Sequence, residues 1–197
     1  MGSKDTSVYR RSTAMEQRKL VCAYSEWVSS WMEAGYDLYL MSFMFKPMAG
    51  SEATWLKIME ASLETFYASL VTRVVRRPRS VSSDQLPRLL AHPDLPVQKR
   101  TKTTLRDATI NDGLHFQAVI ALPPVSRLRD SLDDHLAAHT DLYCPPEGRL
   151  ARIHAVPVTE TPRRVAQYTL KMVEKGRFGV EHTVVLPRTL SELGSRR

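Results

Sequence analysis

Two short runs carry side chains suited to joint chemistry. The first is His115-Phe116-Gln117. On a strand, alternation puts the imidazole and the amide on one face and Phe116 on the other. An imidazole nitrogen beside an amide oxygen can hold a divalent cation and leave positions open for water and a phosphate oxygen. Asp107, upstream of His115 across a predicted turn, would add the anionic ligand that Mg²⁺ or Mn²⁺ prefers. The second run is Tyr168-Thr169-Leu170-Lys171. On a helix this spacing puts the phenol and the ammonium on one face, in a stripe that extends to Arg164 and Lys175. A phenol is a weak nucleophile at neutral pH, but neighbouring cations favour the phenolate, and a metal on a phosphate makes phosphorus more electrophilic. Lys171 suits neutralising phosphate charge or orienting a nucleic-acid end.

The elements that must position these runs can be read from periodicity and punctuation. Thr13 and Glu16 have capping-box spacing, and Leu20, Tyr24, Trp27, Val28 and Trp31 follow at helical spacing, so a helix is expected over 13–34, ended by Gly35. Residues 38–45 are apolar at nearly every position and predict a central strand covered on both sides. Ser51 caps a second helix running to about Val74. Residues 77–100 are rich in Pro, Ser and Arg and predict a long loop, with one short helix around 85–91. Residues 101–110 and 114–122 predict a β-hairpin turning at Asn111-Asp112-Gly113, residue types that accept positive φ. A helix over 125–138 and a strand over 150–158 follow. The last helix opens on Thr161-Pro162 and closes on Lys175-Gly176, and a final strand covers 180–186. The expected fold is α+β: a five-stranded antiparallel sheet flanked by helices. Residues 1–35 form an N-terminal arm and helix, 36–190 the domain, and 191–197 a polar tail.

At 197 residues the chain fits one domain with a substantial core, and 43% hydrophobic with 25% charged residues is ordinary for a globular protein. No apolar run is long enough for a membrane span, and residues 1–11 lack the apolar stretch of a secretory signal. Cys22 and Cys144 have neither metal-type spacing nor disulfide density, so a reducing cytoplasm is expected. The net charge of +7 and a pI near 9.6 suit a polyanionic partner. Arg73, Arg76, Arg77, Arg79, Lys99, Arg100 and Lys102 gather around the predicted loop and are candidates for contact with a nucleic-acid backbone.

Short spacings recur by chance, and a strand histidine is usually a hydrogen-bonded core residue. Weight comes from placement: one run falls on a strand after a turn, the other on a helix one strand later. Of the other histidines, His154 is the next choice for a ligand and His182 reads as a sheet residue, whereas His92, His135 and His139 read as loop or helix-surface residues. Gly-rich phosphate loops, Gly-x-Ser-x-Gly and Cys-x-x-Cys are absent.

In motif order the chain resembles the HUH endonuclease superfamily, in its rolling-circle replication-initiator branch with a single tyrosine. Residues 40–45 resemble the hydrophobic first motif, His115-Phe116-Gln117 the metal motif in its His-hydrophobe-Gln form, and Tyr168 with Lys171 the Tyr-x-x-Lys motif. The resemblance spans roughly residues 36–186 and implies a ferredoxin-like or RNA-recognition-like sheet. It also implies Mg²⁺ or Mn²⁺ on His115, Gln117 and Asp107, and attack by Tyr168 on single-stranded DNA or a DNA hairpin at a replication origin. That attack would leave a 5′-phosphotyrosine and a free 3′-OH for a polymerase. Gln117 replaces the second histidine of the family's common motif, and a separate helicase is expected because no helicase domain follows. A binder of single-stranded nucleic acid that does not cut, and a transposase or relaxase using the same tyrosine step, are the rival expectations.

Overall fold

The computed structural model describes residues 5–95 and 110–188, with side chains from residue 14 onward. It is an α+β fold whose antiparallel sheet has five strands: β1 (Asp37–Phe45), β2 (Arg88–Asp94), β3 (His115–Leu122), β4 (Leu150–Val158) and β5 (Val184–Leu186). Their order across the sheet is β4-β1-β3-β2-β5. Six α-helices are described: α1 (Asp5–Glu33), α2 (Glu52–Val74), α3 (Leu132–Ala138), α4 (Thr140–Tyr143), α5 (Pro162–Thr169) and α6 (Lys171–Glu174).

Each strand presents alternate residues to two cores. On one face Met41, Phe43, Leu89, Phe116, Ala118 and Ile120 meet Met59, Leu63, Phe66 and Leu70 of α2, with Leu132, Leu136 and Tyr143 of α3 and α4. On the other, Leu38, Leu90, Val119 and Ala121 meet Val28 and Trp31 of α1 and Ala166, Leu170 and Val173 of α5–α6. The doubly covered centre is therefore β3, where Phe116 to Ala121 are at most 4% exposed. β1, expected to be covered on both sides, has Leu40, Ser42 and Met44 half-buried, because the second helical layer stops short of the β1–β4 side.

Several sequence expectations are corrected. β3 pairs with β1 and β2 on its two sides, so 101–110 is not its hairpin partner; 101–109 lie outside the described residues. The partner is β2, in a stretch expected to be loop with a short helix. α1 begins at Asp5 rather than Thr13. The helix expected from 125 begins at Leu132, capped by Ser131, whose Oγ accepts from Asp134 N at 3.3 Å. Before it, Ser126 Oγ accepts from Leu128 N, a local bond that competes with helix formation. The helix expected over 161–175 breaks at Leu170 into α5 and α6. The last strand is confined to 184–186, and Val180–His182 form a 3₁₀ turn. As expected, Ser51 caps α2 and Gly176, at φ 63°, closes the last helix, with Arg177 N donating to Met172 O.

Candidate functional site

The site lies on the α1–α5 face at the end of the sheet where β3 begins. The turn before β3 fixes His115. Asn111, Asp112 and Gly113 all have positive φ, as their residue types predict. Asn111 ties the turn to the β1–α2 connection: Met48 N donates to its Oδ1 at 2.9 Å, and its Nδ2 donates to Lys46 O at 3.1 Å. Gly113 O lies 2.9 Å from His115 Nδ1. A carbonyl only accepts, so Nδ1 carries the hydrogen and Nε2 is left for another partner.

That partner is Asp94, directly across the β2–β3 ladder, with Oδ2 3.4 Å from His115 Nε2. Asp94 is 1% exposed, and Leu95 N donates to its Oδ1 at 2.9 Å. Burial alone would raise its pKa, but hydrogen bonds and positive charge at His115 and Lys171 outweigh it and hold the carboxyl below its usual range. Lys171 Nζ reaches the same Oδ2 at 2.6 Å. The break at Leu170 turns Lys171 inward, while Arg164, Tyr168 and Lys175 remain exposed along the expected stripe.

Two residues along on the same face, a row of side chains crosses four strands: His154 on β4, Ser42 on β1, Gln117 on β3 and His92 on β2. Ser42 Oγ donates to Gln117 Oε1 at 2.9 Å. Gln117 is 4% exposed and His92 is fully buried. His92 Nδ1 lies 3.1 Å from Thr183 Oγ1, and its Nε2 has no partner among the described residues. Burial, reinforced by nearby His182, lowers the His92 pKa to about 4, so the ring is neutral. Tyr168 closes the group. It is 47% exposed, and Lys171 Nζ stands 4.1 Å from its ring centre. Nothing among the described residues engages its hydroxyl.

The structure sets His115 and Gln117 on one face of β3 and Lys171 between Asp94 and Tyr168, with Ser42 and His92 beside Gln117. Asp107, Lys99, Arg100 and Lys102 lie outside the described residues. Arg73, Arg76, Arg77 and Arg79 do not join the group. They follow the α2 face, near where Tyr67 OH donates to Pro87 O, at the end of β2 away from Asp94. His92 is a buried strand residue, not a loop residue, and His135 is buried too, with Nε2 2.9 Å from Tyr143 OH on the opposite face. His182 sits in the 3₁₀ turn, 3.3 Å from Glu60.

The donor set at the strand end is one imidazole nitrogen, one amide oxygen and one carboxylate, a mixture that fits Mg²⁺ or Mn²⁺. Among the described residues no three His, Cys, Asp or Glu side chains gather as a metal cage, so any metal here depends on the amide of Gln117. The facing of His115 Nε2 and Asp94 Oδ2 supports the fit, since two acceptors at this distance call for a cation, whether proton, ammonium or metal. No helix among the described residues is long and apolar enough to cross a membrane. No family model matches the chain, nor does any curated protein or solved structure.

Proposed function

We propose that the protein nicks and rejoins single-stranded DNA through a covalent bond between Tyr168 and a 5′ phosphate, the activity of the HUH endonucleases it resembles. The observation that carries this reading is that Lys171 touches both the carboxylate beside His115 and the ring of Tyr168. Residues from β2, β3 and the last helices therefore share one small volume, with the phenol at its open side.

His115, Gln117 and Asp94 are the residues that would hold Mg²⁺ or Mn²⁺, with Asp94 in the role expected of Asp107. Bound there, the metal supplies positive charge against a non-bridging phosphate oxygen. Tyr168 Oη attacks phosphorus, the P–O3′ bond breaks, and the phenolic proton is balanced by protonation of the leaving 3′ oxygen. The product is a 5′-phosphotyrosine and a free 3′-OH, and the reverse attack by a 3′-OH reseals the strand without ATP. Lys171 Nζ lies 4.1 Å from the centre of the Tyr168 ring, where it can neutralise charge on a phosphate brought to the phenol. Initiation of rolling-circle replication is the setting this chemistry suits.

A second reading is favoured by the contacts that Gln117 and Asp94 already make. Ser42 already satisfies Gln117 and Lys171 already satisfies Asp94, as in a finished structural network. A sheet so built would bind single-stranded nucleic acid without cutting it. Incubation with a 3′-labelled single-stranded hairpin library and Mn²⁺, followed by denaturing gels, separates the two. A labelled protein adduct lost in Tyr168→Phe and with EDTA is expected. Binding that is indifferent to EDTA and never yields an adduct would establish the non-cutting binder instead.

A further inference from the structure

We propose that Lys171 and a divalent cation compete for Asp94, so that the site loads its metal only by expelling the lysine. The inference rests on the metal site proposed above and adds a device to it.

Asp94 has two oxygens and both are engaged: Oδ1 by Leu95 N and Oδ2 by Lys171 Nζ at 2.6 Å. Direct contact at that distance leaves no room for a second cation between the groups. His115 Nε2 addresses the same Oδ2 from 3.4 Å, so a cation bridging imidazole and carboxylate would have to share with the ammonium the one oxygen that both groups approach. The side chains of Asp94 and Lys171 are 2% and 13% exposed, so water screens their charges poorly. A divalent ion bound to Asp94 would repel the neighbouring ammonium strongly in such surroundings.

The Lys171 ammonium also meets the face of Tyr168, 4.1 Å from its ring centre, and Tyr168 is half exposed. An expelled ammonium keeps that contact and moves outward, to the side from which a phosphate reaches the phenol. The lysine thus acts as a resident counter-ion that keeps Asp94 neutralised while no metal is bound. Once metal arrives its remaining contact is the face of Tyr168, which ties the position of the lysine to metal loading.

The test is metal binding by the full chain without DNA, read from the free Mn²⁺ signal in electron paramagnetic resonance. Lys171→Met keeps the apolar stem and removes the competitor, and should bind Mn²⁺ about tenfold tighter or more than wild type. Lys171→Arg keeps a cation and should stay near wild type. In the wild-type protein labelled on lysine, the Lys171 ε-methylene resonance should shift when Mg²⁺ saturates the site. Its assignment comes from its loss in Lys171→Arg, so this arm decides alone if the methionine variant does not fold. Equal or weaker binding by folded Lys171→Met, or a Lys171 resonance unmoved by saturating Mg²⁺, would overturn the competition while leaving the metal site standing. Absence of Mn²⁺ binding in every protein would overturn both. Neither result depends on whether DNA is cut.

Discussion

Asp94 and His115 face each other as a registered pair across β2 and β3, with Oδ2 3.4 Å from Nε2. Among the described residues Asp94 is the carboxylate in contact with the predicted metal motif, and it is buried. Asp94→Asn removes the anionic ligand and leaves Lys171 with no counter-charge. Adduct formation should fall at least about a hundredfold, and stability by about 3 kcal/mol, because one partner of a buried pair is left alone. Asp107→Asn should keep adduct formation near wild type. Chemical melts and adduct assays on both variants decide between the two carboxylates, and equal losses would sink the assignment to Asp94.

Ser42 and Gln117 make a second cross-strand pair, two residues along on the same face. The hydroxyl donates to Oε1, fixing the amide while leaving that oxygen a second lone pair. Ser42→Ala should therefore act as loss of an orienting partner, reducing Mn²⁺ affinity by about tenfold. The lost hydrogen bond should also cost about 1 kcal/mol in a urea melt. A variant with the melt changed and Mn²⁺ affinity intact would place Gln117 outside the metal site.

The sequence made most of this fold legible where one periodicity ran unopposed. β1, α2 and β4 fall within a residue or so of their expected limits because apolar spacing and punctuation agree there. β2 was hidden because Pro93, His92 and Asp94 are poor strand residues by composition. The structure shows how they are tolerated. β5 pairs only with Leu89, Leu90 and Ala91, so Pro93 lies beyond its end, where no donor is required on that side. The available signal was the alternation of Leu90, His92 and Asp94, which puts all three on the face of Val119, Gln117 and His115. With β2 unread, Asp94 had no signal as the carboxylate beside His115. His115 and Gln117 share a face as strand alternation predicts, whereas the break at Leu170 turns Lys171 inward from the exposed stripe of Tyr168, which helical periodicity alone does not predict.

On β4, Arg152, His154 and Val156 are exposed and alternate onto the face that carries Ser42. This places them beside the site, whereas Arg76 and Arg77 lie at the other end of the sheet. If single-stranded DNA reaches Tyr168 across β4, Arg152→Ala should weaken hairpin binding and reduce the slope of log affinity against log salt by about one. The double substitution of Arg76 and Arg77 to Ala should leave the slope unchanged. Fluorescence anisotropy across a salt series measures both, and the opposite pattern would move the DNA path to the α2 face.

His92 sets a pH dependence of stability that owes nothing to catalysis. Burial lowers its pKa from 6.5 to about 4 in the folded chain, with His182 lowering it further and Asp94 opposing. Between those values the unfolded chain binds a proton that the folded chain refuses, so stability rises with pH through this window and is lost as pH falls from 6.5 towards 4. The expected loss from pH 7 to pH 5 is about 2 kcal/mol from this residue. Asp94 contributes little there, because its carboxyl is held below its usual range and stays ionised in both conditions. His135 is also lowered by burial and adds a loss of the same sign, so the informative quantity is a difference between variants. His92→Leu cannot protonate and leaves Thr183 without its partner, a cost that is the same at both pH values. Urea melts at pH 7 and pH 5 should show the variant less stable at pH 7 but losing about 2 kcal/mol less on acidification. An identical acid loss in both proteins would mean that His92 takes up its proton in the folded chain as readily as in the unfolded one.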